Sequence, residues 1–294
     1  MPTCEDERVS AIEEAMIEAV RAGDDEALDA ARRAWIEAHG HEARLPALLD
    51  DARWEARVAA VATSRALNRI EPLARACLLV GRMQREDDAR VREAIVSAFV
   101  DLKQGLGGAL TFAFVSRFAR DPDAAMRCAV VAALGGDRSE QAITLLSSMT
   151  RDQDDGVRDW ACFAIGHLLG LASVEEGIVD TDEIREALAD RLDDENEEVR
   201  EEAATGLALR GDARGVERVM ALLERFDEEG VTTRVLMTAV EAPDPRWVPA
   251  LEAIVAERPD LRDAVSALEA CRARKPRPFC GAPRHAGCDC FRRF

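Results

Sequence analysis

Apolar residues recur at helical spacing from about Asp51 to Glu257, and the recurrence itself repeats. Five segments align on one arginine: EARVAAVATSRAL at Arg57, ARVREAIVSAFVDL at Arg92, DAAMRCAVVAALGG at Arg127, DGVRDWACFAIGHLL at Arg158 and EEVREEAATGLALR at Arg200. The intervals are 35, 35, 31 and 42 residues, and VTTRVLMTAV at Arg234 reads as a degenerate sixth copy. Relative to each arginine, positions −1, +3, +6 and +7 are predominantly apolar or small, the spacing of one buried helical face. Acids precede most copies (Asp121 and Asp123, Asp152 and Asp154, Asp193 and Asp194), where they cap a helix and favour its positive end. A second amphipathic helix follows each first one: EPLARACLLVGRM, ALTFAFVSRFA, SEQAITLLSSM, DEIREALADRL, ARGVERVMALLERF and PRWVPALEAIV. Turns such as Gly135-Gly136-Asp137 and Gly211-Asp212 separate the pair, with glycine available for the left-handed position after a helix.

Upstream, Glu5 to Ala22 and Asp24 to Ala38 read as helices, and HEARLPALLDD as a short partner. The expected organisation is a solenoid over 1–272, with divergent helices over 1–50, repeats over 51–257 and a capping helix over 258–272. An irregular tail over 273–294 follows. Terminal repeats diverge because one of their faces meets water. Two departures stand out: the insertion GLASVEEGIVDT over 170–181, read as an edge loop, and the glycine-rich connection 105–108.

The D-x-D-x-x-V-R-x-x-A-x-x-A-L-G pattern resembles the HEAT family, in particular the bacterial HEAT-like repeats named for phycobilin lyases. The resemblance implies an all-α, right-handed α-α superhelix (HEAT-like solenoid) of about six or seven helix pairs. It further implies an aspartate–arginine ladder between adjacent repeats, which gives Asp123, Arg127, Asp154, Arg158 and Arg200 structural roles.

Composition agrees with close-packed helices: 48% of the residues are hydrophobic, much of that alanine, against 4% aromatic and no tyrosine. The net charge of −18 opposes phosphate binding. Seven basic residues and one acid, Asp289, fall between Cys271 and Phe294, so that segment carries +6 and the remainder −24. The acidic N-terminus lacks the apolar stretch of a signal peptide, which makes the cytoplasm the expected location and free thiols the expected state of the eight cysteines.

Candidate chemistry is sparse. His39 and His41 flank Gly40 at a helix end, and His167 lies within a repeat helix. No P-loop, HExxH, G-x-S-x-G or dinucleotide fingerprint occurs. Trp54 and Trp160 sit at −3 and +2 from their arginines, outside the buried offsets. Either they anchor a partner or they are half-buried against the neighbouring helix. Asp159, Glu175 and Glu176 add acidity, which makes these five residues the candidate partner-binding set. In the tail, Cys280, His285, Cys288 and Cys290 form a potential Cys₃His zinc set, similar to the SEC-C motif but with Pro278 in place of a cysteine. No cofactor is expected in the solenoid, and zinc is the candidate for the tail.

The function these features favour is a non-enzymatic scaffold that presents an acidic surface to a basic protein or peptide. The alternative is an accessory or lyase-like protein acting on a cofactor or peptide. DNA binding ranks below both, because it calls for a basic concave face.

Overall fold

A computed structural model describes residues 4–38, 41–67, 70–169, 177–225 and 233–274; the sequence-derived expectations for His39, the 170–176 part of the insertion and the 275–294 tail lie outside these. Among the described residues every regular element is helical. The chain divides into two compact units, Met1–Met149 and Thr150–Phe294.

The first unit contains α1 (Cys4–Ala22), α2 (Asp25–Glu37), α3 (Leu45–Leu49), α4 (Trp54–Ala66), α5 (Pro72–Met83), α6 (Ala89–Ser97), α7 (Phe99–Leu106), α8 (Gly108–Val115), α9 (Ala124–Leu134) and α10 (Glu140–Met149). Helices α1, α4, α6 and α9 stack in sequence order. They bury Met16 and Ile17 of α1 together with Ala56, Ala60, Val91, Ile95, Met126 and Val130, the last six being residues that the repeated offsets select. Two features of the N-terminal part were not visible in the repeat. Trp35 is fully buried and donates from Nε1 to Glu13 Oε1 at 3.1 Å, and Arg44 holds the same carboxylate at 2.8 and 2.6 Å. The 105–108 connection narrows to a single residue, Gly107, between two helices.

The second unit contains α11 (Asp155–Phe163), a π-helical turn (Ala164–Leu168), α12 (Asp182–Ala189), α13 (Glu197–Leu209), α14 (Ala213–Glu224), α15 (Thr233–Glu241), α16 (Val248–Glu257) and α17 (Arg262–Ala273). Here α11, α13, α15 and α17 stack in order. Trp247 anchors the core with Val219, Leu236, Leu251 and Leu268, and satisfies its indole N–H on Val216 O at 3.1 Å. Gly136 (φ 80°) and Gly211 (φ 65°) take the left-handed conformation read from the turns.

Candidate interaction site

The helices that start with the repeated acids are capped by the residue four before the arginine. Asp88, Asp123, Asp154 and Asn196 each accept a backbone N–H of the first turn. The acid two residues earlier has a separate job. It accepts the N–H of the capping residue and receives the arginine of the preceding repeat. Arg57 grips Glu86 with two bonds of 2.8 and 3.0 Å, Arg92 reaches Asp121 at 3.1 Å, and Arg158 holds Asp194 at 3.0 and 2.9 Å. The guanidinium also turns back on its own loop: Arg57, Arg127, Arg158 and Arg200 each donate from Nη1 to the carbonyls six and five residues before them. Arg57 and Arg158 thus close their own loop and bind the next with one side chain, while Arg92 reaches the next.

This arrangement amends the expected ladder. Asp123 and Asp154 are caps, and the inter-repeat acids are Glu86, Asp121 and Asp194. The regular D-x-D spacing carried that signal, but a cap and a bridge look alike until the next repeat is in place. Burial alone raises the carboxyls of Asp194 and Glu86. The hydrogen bonds from Arg158 and from Arg57, with the backbone N–H groups of Asn196 and Asp88, outweigh it and hold both below the ordinary range.

Arg234 departs from the ladder. The buried residues of α15 are Val235, Leu236, Thr238 and Ala239, so the register has shifted and Leu236 takes the place of the motif arginine. Arg234 instead pairs with Glu202 and lies 4.0 Å from Glu201, both on the preceding α13.

Around Arg234 the second unit assembles an acidic and aromatic shelf. Trp160 and Phe163 meet edge to face at 5.7 Å, Phe163 stacks on His167 at 5.7 Å, and the Arg234 guanidinium lies 5.9 Å from the Phe163 ring. The close approach of the π turn to α13 rests on two glycines, Gly166 and Gly206. A Cβ on Gly206 would stand 2.7 Å from Gly166 Cα. Across that contact His167 Nε2 reaches Thr205 Oγ1 at 2.9 Å and Glu202 Oε2 at 3.3 Å. Thr205 Oγ1 also lies 2.8 Å from the carbonyl of Glu201, and a hydroxyl that donates there accepts from His167 Nε2. Burial, reinforced by the charges of Arg234 and Arg210, lowers the His167 pKa to about 3, so the ring is neutral. Arg210 secures the π turn from below, donating to the carbonyls of Ile165, Gly166 and Gly206 at 2.6, 2.7 and 2.8 Å. A π turn frees carbonyls from the regular helical ladder, and a buried arginine is well suited to collect them.

The candidate partner-binding residues fare differently. Asp159 and Trp160 are half-buried and belong to this shelf. Trp54 is half-buried too, but Arg90, tied to Asp88 at 3.1 and 2.7 Å, lies 3.5 Å over its ring and covers that face. Glu175, Glu176 and the set Cys280, His285, Cys288 and Cys290 lie outside the described residues. The residues that the sequence did not single out are Glu201, Glu202, Thr205 and Phe163. They occupy offsets +1, +2, +5 and +5 from their repeat arginines, outside the buried pattern, which is the signal that could have found them.

Stacked helix pairs with an arginine tying successive loops define a helical-repeat protein. Residues 185–269 match the family model of HEAT repeats. Over 150 residues it is 29% identical to Protein YibA of Escherichia coli strain K12, and equally to its counterpart in strain O157:H7. That alignment spans 51% of this chain and 49% of YibA, about half the length of the curated relatives it matches. The X-ray structure of E. coli YibA superposes with a TM-score of 0.63 at 20% identity, covering 92% of this chain and 98% of that one. An engineered protein superposes with a TM-score of 0.55 at 17% identity, covering 94% and 77%. At these identities the likeness shows a shared fold. Among the described residues no helix is long and apolar enough to cross a membrane.

Proposed function

We propose that this protein is a non-catalytic scaffold whose second unit binds a basic protein or peptide on the shelf around Asp159, Trp160, Phe163, Glu201 and Glu202. The observation that carries this reading is the contrast between two classes of acid. Glu86, Asp121 and Asp194 are spent on repeat-to-repeat bonds, whereas Glu201 and Glu202 meet an arginine that has left the ladder. Aromatic rings beside carboxylates suit a cationic side chain, which gains from both the charge and the ring face. The net charge of −18 supports the same class of partner by steering it.

The test is fluorescence anisotropy of labelled basic and acidic repeat peptides with the full chain, between about 50 and 300 mM salt. Binding of the basic peptides that weakens with salt is expected, with no binding of the acidic one. Equal binding of both, or salt-independent binding, removes the proposal. Separately, we propose that Cys280, His285, Cys288 and Cys290 hold zinc, supported by four ligand-type side chains within eleven residues.

A further inference from the structure

The most unusual charged group in the second unit is Glu202. Its side chain is 1% exposed, yet its carboxylate neither caps a helix nor joins the loop-to-loop ladder; it pairs with Arg234 on the next stacked helix. One oxygen, Oε1, meets Arg234. The other, Oε2, accepts no hydrogen bond. It stands 3.3 Å from His167 Nε2 without a hydrogen bond to it. A buried carboxylate oxygen without a donor is costly and therefore informative. Burial drives the Glu202 carboxyl well above the ordinary range, Asp159 and Glu201 push the same way, and Arg234 is the group that opposes them.

Arg234 is poorly placed to be a permanent part of the core. It is the second residue of α15, where the positive end of the helix disfavours a cation. Its side chain remains 36% exposed, in contrast to the 6% of the ladder residue Arg158. Its other neighbour is the face of Phe163, which Trp160 supports edge-on. A carboxylate with an idle oxygen and an aromatic face alongside form a receptor for a planar guanidinium, able to engage both oxygens and stack at once.

We propose that the shelf is an arginine-recognition pocket and that Arg234 is its internal occupant, which an arginine of the partner displaces. The proposal rests on the reading of the protein as a binder of basic partners and adds to it the chemical class and a built-in competitor. An ammonium group cannot match the paired oxygens and the ring together, so arginine is preferred to lysine.

The test measures binding of arginine–glycine and lysine–glycine repeat peptides to the full chain and to Arg234→Ala, both verified as folded by circular dichroism. Arg234→Ala is expected to tighten the arginine peptide about tenfold, and the lysine peptide less than about threefold, the latter from the change in net charge. A further change, Phe163→Leu in the Arg234→Ala chain, is expected to reverse most of the gain for arginine. Equal tightening of both peptides, or no tightening, overturns the pocket while leaving the basic-partner reading intact. Failure of either peptide to bind either chain overturns both.

Discussion

Replacing Arg158 by alanine tests the ladder at its most buried rung. Arg158 and Asp194 side chains are 6% and 3% exposed, and two bonds of 3.0 and 2.9 Å join them. Removing one partner of a buried pair strands the other charge, at about 3–5 kcal/mol. Asp194 keeps Arg191 at 3.2 Å and the Asn196 N–H at 3.0 Å, which argues for the lower end, about 3 kcal/mol. The carbonyls of Asp152 and Gln153 lose a donor as well. Arg200 is the control, because among the described residues its guanidinium binds the carbonyls of Asp194 and Glu195 and no acid; Arg200→Ala should cost about 1 kcal/mol. With a urea slope of about 2–3 kcal/mol/M, Arg158→Ala lowers the midpoint by about 1–1.5 M, and Arg200→Ala by less than half of that. Unfolding at pH 7 followed by circular dichroism gives both values, and the double mutant with Asp194→Asn isolates the coupling. If the two arginine variants shift the midpoint equally, the guanidinium acts through the loop carbonyls and the inter-repeat bond contributes nothing. The low carboxyl pKa of Asp194 adds a sign: its contribution is complete above the unfolded value of about 3.9 and disappears as pH falls through the folded one. The gap between wild type and Asp194→Asn should therefore close in acid.

Other changes test other levels of the account. Gly206→Ala should destabilise by about 1–3 kcal/mol, because its Cβ meets Gly166 Cα at 2.7 Å, while Gly81→Ala, with open space around it in α5, should stabilise by up to about 1 kcal/mol; equal urea midpoints would contradict the close helix crossing. Burial raises the Glu241 carboxyl to about 7, so the folded state favours its protonated form and loses stability as pH rises from the unfolded value of about 4.3. Glu241→Gln should accordingly raise the urea midpoint at pH 8 and leave it nearly unchanged at pH 4, and a uniform shift at both would refute the burial. Cobalt titration of the full chain should give thiolate charge-transfer absorption that is lost when Cys280, Cys288 and Cys290 are replaced by serine; a flat spectrum excludes the metal set.

The repeat helices were legible because their information is local. A buried face at −1, +3, +6 and +7 from the arginine recurs within one helix, and the caps lie four residues before it. The ladder was half legible: Arg158 was evident, but its partner Asp194 is 36 residues away and looks from sequence like another cap. Arg234 misled, since its place in the interval pattern concealed a register shift revealed by the buried Val235, Leu236 and Ala239. The shelf was least legible. Trp160 was marked by its offset and Asp159 by its charge beside it, but Glu202 and Thr205 become neighbours of His167 only through the π turn and the Gly166–Gly206 crossing. No periodicity in the sequence encodes that encounter.

Position on the shelf, and not total charge, is what the proposed binding surface requires. Two variants of equal net charge decide it: Asp159→Asn with Glu201→Gln on the shelf, and Glu217→Gln with Glu224→Gln at exposed positions of α14. Calorimetric titration with the arginine–glycine peptide should show about tenfold weaker binding for the shelf pair and less than about twofold for the α14 pair. Equal losses in the two would reduce the interaction to diffuse electrostatics and contradict a defined site.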